Sequence, residues 1–363
     1  MAAHFCRILF LMDKFQLQPA KRNPGERALL ERIRARAARS STGGLRLGIG
    51  DDCALLAPRA GEEIAVTTDL SIAGRHFRLD WHTPESVGHR ALARGLSDLA
   101  ARGARPVAAF LSLGVPRELT IRQGRGEPWV EGFLRGLLEL AERHKVPLAG
   151  GDLGESPLVL ADIVLVGAVP RGKALLRSGA RPGDQLYVTG ALGGAAHGLA
   201  ALENLATSVA GSQVGCGKST ARPPRIPKRL ETMLAPHLWP EPRIAQGLWL
   251  RSRGLASAAL DVSDGLSTDL AHLCEESGVA AELEAASLPR HAGASMEEAL
   301  NGGEDYELLF TAPEGAKVPR AIQGMAMTRI GQIVKAGKNR PTITMISADG
   351  RKAVEARGWE HFA

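Results

Sequence analysis

Four times in this chain an apolar run leads into aspartate, and no other feature constrains the fold as much. Residues 47–56 read Leu-Gly-Ile-Gly-Asp-Asp-Cys-Ala-Leu-Leu, residues 65–69 read Ala-Val-Thr-Thr-Asp, residues 146–152 read Val-Pro-Leu-Ala-Gly-Gly-Asp, and residues 258–265 read Ala-Ala-Leu-Asp-Val-Ser-Asp-Gly. Short apolar or β-branched runs bounded by such residues are strand signals, so the acids are expected at strand ends around a shared pocket. Carboxylates in one pocket repel one another unless cations lie between them. Asp51, Asp52, Asp69, Asp98, Asp152, Asp261 and Asp264 therefore point to hard divalent ions, with Thr67, Thr68 and Ser263 beside them as neutral oxygen donors. An all-oxygen set favours Mg²⁺ over Zn²⁺, and Mg²⁺ carrying a polyphosphate suits it. Any one of these aspartates alone reads as a turn or cap residue; their number carries the inference.

With 363 residues, 44% hydrophobic and 23% charged, the chain has material for two domains with their own cores. Its formal charge of +6 is local: residues 1–46 hold ten Lys/Arg against three Asp/Glu, and the remainder is close to neutral. Only 4% of residues are aromatic, too few for base-stacking platforms, which argues against a nucleic-acid partner and for a solvated basic arm. Cys6, Cys53, Cys216 and Cys274 are widely spaced with no CxxC, which fits reduced thiols in a cytoplasmic protein and no zinc site. The apolar stretch at residues 5–12 is too short to span a membrane. Met1 or Met12 can start the natural chain.

The remaining pattern interleaves strands and helices. Residues 25–39 read as a helix with Leu29, Leu30 and Ile33 on one face; Thr83 and Pro84 open a second that carries Asp98 and stops at Gly103. Strands are expected at 64–68, 107–115 and 158–169, and a helix runs from Trp129 towards Lys145. Gly, Pro and Arg are dense between 170 and 183, so a boundary is set there: 1–24 as an extension, 25–170 as an α/β domain, 171–363 as an α+β domain. Residues 208–229 read as a basic loop. Within it Gly217-Lys218-Ser219 imitates a P-loop, but the glycine required five places before Gly217 is Ser212, and no strand feeds the segment. His76 and Glu304 have plain structural readings, as a packed histidine and part of a helix stop, while Arg177 is either a surface charge or a guanidinium suited to phosphate.

Together these segments resemble the thiamine-monophosphate kinase family, in the superfamily of aminoimidazole ribonucleotide synthetase and selenophosphate synthetase. The runs that carry the resemblance are Gly48-Ile-Gly-Asp-Asp-Cys-Ala-Leu-Leu56, Thr67-Thr-Asp69 with Gly74-Arg-His-Phe77, Leu96-Ser-Asp-Leu-Ala-Ala-Arg-Gly-Ala104, Gly150-Gly-Asp152, Arg177-Ser-Gly-Ala-Arg-Pro-Gly-Asp184, Asp261-Val-Ser-Asp-Gly-Leu266, Gly302-Gly-Glu-Asp-Tyr-Glu-Leu308 and Gly358-Trp-Glu-His-Phe362. They keep the family's order over residues 25–363. Leu153 stands where the family commonly has threonine, and Arg102 where it has an apolar residue.

The resemblance implies an N-terminal α/β domain whose sheet pairs with a second copy in a homodimer, followed by an α+β domain. It implies ATP-dependent phosphorylation of thiamine monophosphate to thiamine diphosphate by direct in-line transfer. Asp52, Thr67, Thr68, Asp69, Asp98, Asp152, Asp261 and Asp264 would hold Mg²⁺; Gly151, Asp152, Arg177 and Ser263 would contact ATP; His76, Glu304 and Trp359 would contact the thiamine moiety. No general base is required, since the acceptor oxygen is already ionised. The alternatives are another synthetase or kinase of the superfamily, such as a selenophosphate or aminoimidazole ribonucleotide synthetase-like enzyme, and a basic nucleic-acid-binding protein.

Overall fold

The computed structural model describes residues 31–35, 44–122, 126–211, 223–338 and 342–359. The whole extension, most of the helix expected at 25–39, and the P-loop-like segment lie outside the described residues.

A small hairpin, β1 (Leu45–Leu47) and β2 (Leu55–Leu56), carries Asp51 and Asp52 in its loop. It lies against a four-stranded sheet ordered β3 (Glu62–Ile72), β6 (Leu160–Pro170), β4 (Arg105–Val115), β5 (Leu148–Glu155). The expected strands are present, with β3 and β5 running on through their aspartates, so Asp69 and Asp152 sit within them and not at their ends. Backbone pairing over the full length of β3 and β6 extends both beyond their apolar centres.

Helix α1 (Pro84–Ala101) is the hub of the molecule. Thr83 caps it, its hydroxyl accepting from the Ser86 N–H, and Pro84 opens it where no intrahelical N–H bond is lost. It is buried on nearly every side, which its sequence permits because small residues line it. Gly88 sits against α2 (Trp129–Arg143): a Cβ there would lie 1.9 Å from the Phe133 carbonyl oxygen. On its far side Gly247 of α5 (Ile244–Arg253) makes the same approach to the Ala100 carbonyl. Arg102, just past the helix, donates a 2.7 Å bond to the Leu175 carbonyl, which accounts for a charged residue at this half-buried place.

The C-terminal half is built on a second sheet, in the order β14 (Gly350–Ala353), β13 (Ile343–Ser347), β9 (Val279–Glu284), β12 (Met325–Lys335), β7 (Gln185–Thr189), β10 (Glu307–Ala312), β8 (Ala258–Val262), with β11 (Ala321–Ile322) paired to β12. Helices α3 (Gly194–Gly211), α4 (Glu231–Leu238), α6 (Leu266–Ser277) and α7 (Met296–Asn301) complete it. Leu260, Val262, Leu270, Leu273, Leu309 and Ile330 form its core, while Leu92, Leu96, Leu165, Phe133 and Leu137 belong to the core around α1. An α/β half joined to an α+β half is the architecture expected from the sequence.

Candidate active site

Three neighbouring turns of α1 present Arg90, Arg94 and Asp98 along one stripe, because a helix repeats its face every three to four residues. Strand β3 crosses this stripe with Thr67 and Asp69 turned towards it. The Thr67 hydroxyl donates to the Asp98 carboxylate, and Arg94 Nη2 lies 3.6 Å from Asp69. From the other half, β8 brings Asp261, whose carboxylate accepts a 2.6 Å bond from the Ser97 hydroxyl of α1. The turn after β8 holds Ser263 and Asp264 in place through Asp269 of α6, which accepts the N–H groups of Ser263, Asp264 and Gly265 at 3.0 to 3.1 Å.

Asp69, Arg94, Asp98, Asp261, Ser263 and Asp264 line one cavity of about 450 Å³, together with residues 74–78, His82, His237, Glu304, Tyr306 and Trp359. Burial pushes Asp69 up to about 7, with Asp98, Asp261 and Asp162 adding repulsion and Arg94 opposing it. Asp261 is pushed up to about 6 by burial and by Asp98, against the Ser97 hydrogen bond. Arg94 thus offsets only part of the repulsion among the acids, and the donors they offer are hard oxygens. Among the described residues, however, no three acidic, histidine or cysteine side chains converge as a ready-made metal cage.

The opposite wall is organised by Glu304, whose backbone is left-handed at φ 67° and is followed by Tyr306 at φ 51°. Such non-glycine conformations cost on the order of 1 kcal/mol each and persist only where the surroundings impose them. Here the Glu304 and Tyr306 N–H groups bond to the carbonyls of Ser263 and Val262 at 2.7 and 2.8 Å, and Arg90 grips the Glu304 carboxylate at 2.5 and 2.7 Å. Burial raises the affinity of Glu304 for a proton, but Arg90 and Arg94 more than offset it and hold the group below the usual carboxylate range. Trp359 reaches the rim because its N–H bonds to the Asp264 carbonyl at 2.9 Å, and the Arg75 guanidinium covers its ring at 4.4 Å from the centroid. The His76 imidazole folds back on its own turn, its Nδ1 accepting the Ile72 N–H at 3.1 Å.

Of the residues expected to form the site, Asp69, Asp98, Asp261, Ser263, Asp264, His76, Glu304 and Trp359 meet at this cavity, and Thr67 is bonded to one of them. Arg177 is exposed on its loop but within electrostatic reach of Asp261. Asp52, Thr68, Gly151 and Asp152 do not join them in one chain. Side chains alternate along a strand, so Thr68 points to the outer face of the sheet, away from Thr67 and Asp69. The registers Leu70↔Asp162, Asp162↔Ser112 and Ser112↔Asp152 place Asp152 three strands from β3, about 14 Å across the sheet at the usual strand spacing. Gly151 has a backbone reason to be glycine, since a Cβ would meet the Leu111 carbonyl oxygen at 1.9 Å. The sequence reading missed Arg90, Arg94, His82 and His237; the four-residue spacing from Arg90 through Arg94 to Asp98 was the available signal for the two arginines.

Comparison with known proteins bears on this geometry directly. Residues 50–169 match the model of the AIR synthase related protein, N-terminal domain, and residues 181–344 that of the AIR synthase related protein, C-terminal domain. The chain is 38% identical to the thiamine-monophosphate kinase of Salmonella typhimurium over 355 residues, covering 93% of this chain and 98% of that one. It belongs to the thiamine-monophosphate kinase family. The solved structure of the family member from Stenotrophomonas maltophilia superimposes with a TM-score of 0.72 at 37% identity, covering 88% of this chain and 96% of that chain. Another family structure, described as AaThiL complexed with AMPPCP and TMP, gives a TM-score of 0.67 at 28% identity, over 95% of this chain and all of that one. The family's members are kinases, so this chain is an enzyme of the kinase class.

Proposed function

We propose that this chain transfers the terminal phosphoryl group of ATP to the phosphate of thiamine monophosphate, giving thiamine diphosphate and ADP. The observation that carries the reading is that one cavity combines buried, mutually repelling acids with a clamped Glu304 and an aromatic rim at Trp359. The first arrangement suits cation-bound phosphates, the second a cationic heterocycle such as the thiazolium of thiamine.

Asp69, Asp98 and Asp261 fit Mg²⁺, since they offer hard oxygens and Asp69 and Asp261 are both destabilised as anions by burial and by the neighbouring Asp98. Bound there, Mg²⁺ would neutralise charge on the phosphates brought into line. Thr67 and Ser97 orient the carboxylates by their hydroxyl bonds, and Arg94 offers a guanidinium to the acceptor phosphate. No side chain need remove a proton from the acceptor, because a phosphate monoester is already largely ionised at neutral pH. ATP would lie towards Ser263 and Arg177, and the thiamine moiety towards His76, Glu304 and Trp359.

The same reading pairs two copies through the outer face of the four-stranded sheet. Ile64, Val66 and Leu70 are exposed there at 45%, 61% and 42%, a row of apolar side chains on an edge strand. A cytoplasmic setting accords with the described cysteines, Cys53 and Cys274, being free thiols. No helix among the described residues is long and apolar enough to cross a membrane.

The test is product analysis with ATP, Mg²⁺ and, separately, thiamine monophosphate, thiamine, an aminoimidazole precursor and selenide. Thiamine diphosphate with stoichiometric ADP, from the monophosphate alone, is the expected result. Turnover of thiamine itself, or AMP with free phosphate from selenide, would overturn it.

A further inference from the structure

Beneath Glu304 lies a buried chain of polar groups that the proposed transfer does not use. His82 and His237 stand with their Nε2 atoms 2.9 Å apart, Arg90 Nη1 is 3.3 Å from the same His237 nitrogen, and His237 Nδ1 faces Glu304 Oε2 at 3.5 Å. At the far end, the Arg78 N–H lies 3.2 Å from His82 Nδ1.

A guanidinium can only donate, so His237 Nε2 is an acceptor and the His237 proton is on Nδ1, which stands 3.5 Å from Glu304 without forming a hydrogen bond to it. His82 must then donate from Nε2 to His237, and its Nδ1 is left to accept from Arg78. Both rings are neutral in this tautomer pair, and His82 Nδ1 takes the Arg78 N–H in place of the Arg78 carbonyl oxygen, which lies 3.1 Å away. Their burial agrees: it pushes His82 down to about 3, with Arg90 adding repulsion, and lowers His237 well below the ordinary histidine range.

The chain thus ends beside Glu304, with Arg90 donating to the carboxylate and the His237 Nδ1–H facing it at 3.5 Å. A single Arg90 nitrogen, Nη2, bridges both carboxylate oxygens, which leaves each oxygen a further lone pair. Arg90 is 95% buried, and Glu304 and His237 both line the cavity.

We infer that Arg90 and His237 are positioning residues: acting through Glu304, they hold its carboxylate as an anion turned to the cavity, where it receives the cationic heterocycle of the substrate. The inference rests on the thiamine monophosphate reading and adds to it the groups that set selectivity for a charged ring. Their effect falls on binding of that ring and leaves ATP alone.

Steady-state kinetics of Arg90→Met, Glu304→Gln and the double variant test this, each checked for an intact thermal transition. Each single change should raise KM for thiamine monophosphate about tenfold or more while KM for ATP stays within about twofold, because one hydrogen bond to a charged group is removed. The double variant should be no worse than the poorer single, since Arg90 acts through Glu304. If Arg90→Met does not fold, His237→Asn and His237→Leu carry the test. Asparagine places an amide N–H where Nδ1 stands and should restore KM to within about threefold of wild type, whereas leucine should not. Additive singles, parallel rises in both KM values, or equal behaviour of the Asn and Leu variants would overturn the inference while thiamine monophosphate turnover still stood. A wild-type enzyme silent towards thiamine monophosphate would instead remove the reading on which it rests.

Discussion

Ser97 of α1 donates a 2.6 Å hydrogen bond to Asp261 of β8, across 164 residues of sequence. The bond ties the central helix of the first half to the acid-bearing strand of the second, at the floor of the cavity. Both residues are buried, with Ser97 fully so.

Ser97→Ala is therefore expected to destabilise the protein by roughly 1.5–3 kcal/mol at pH 8, where Asp261 is ionised. At pH 5 the penalty should shrink, because Asp261 titrates near 6 and is then mostly protonated. Urea denaturation of both proteins at the two pH values gives the comparison. An equal loss at both would mean that the hydroxyl serves packing alone.

The contribution of Asp69 and Asp261 to the stability of the metal-free protein should fall as pH rises. Asp69 and Asp261 have folded-state values of about 7 and 6 against 3.8 for an ordinary aspartate, so the folded state binds more protons than the unfolded one between these limits. Their contribution is fully present below about pH 4 and is lost as pH passes through 6 and 7. Adding Mg²⁺ should raise the melting temperature at pH 8 and do little at pH 5. A Mg²⁺ effect independent of pH would place the ion away from these two acids.

Asp98→Asn removes the acid that faces both Asp69 and Asp261 and accepts the Thr67 hydroxyl. Its kcat/KM should fall by a factor on the order of 100 or more at limiting Mg²⁺, with part of the loss recovered at high Mg²⁺. A Mg²⁺ titration of initial rates reads this out. A variant unchanged at every Mg²⁺ concentration would assign the charge to other residues.

Val66→Asp puts a carboxylate in the exposed apolar row of β3, where Val66 itself is 61% exposed. The single chain should keep its fold, since that side chain supports no core. Sedimentation should show wild type at twice the monomer mass and the variant at monomer mass. Monomeric wild type would remove the paired-sheet reading.

Local chemistry was legible in the residues. Thr83-Pro84 announced the start of α1, apolar runs announced β3, β4, β5, β6 and β8, and the resemblance named most of the cavity's acids before any geometry was known. These signals are short-range: a cap, a two-residue alternation and a motif are each complete within a few positions.

Which of those residues meet was decided only by tertiary structure. Thr67 and Thr68 are adjacent and chemically alike, yet the strand's alternation sends one to Asp98 and the other to the outer face. Asp152 ends a Gly-Gly-Asp run expected to join the site but stands three strands away from β3. Glu304 owes its state to Arg90, 214 residues earlier, and His237 owes its tautomer to that same guanidinium. The sequence by itself determined which chemical groups the protein owns and which elements carry them. Distance and burial determined their charge and aim, because electrostatic coupling depends on separation in space and on exclusion of water, and neither is written in the spacing of residues along the chain.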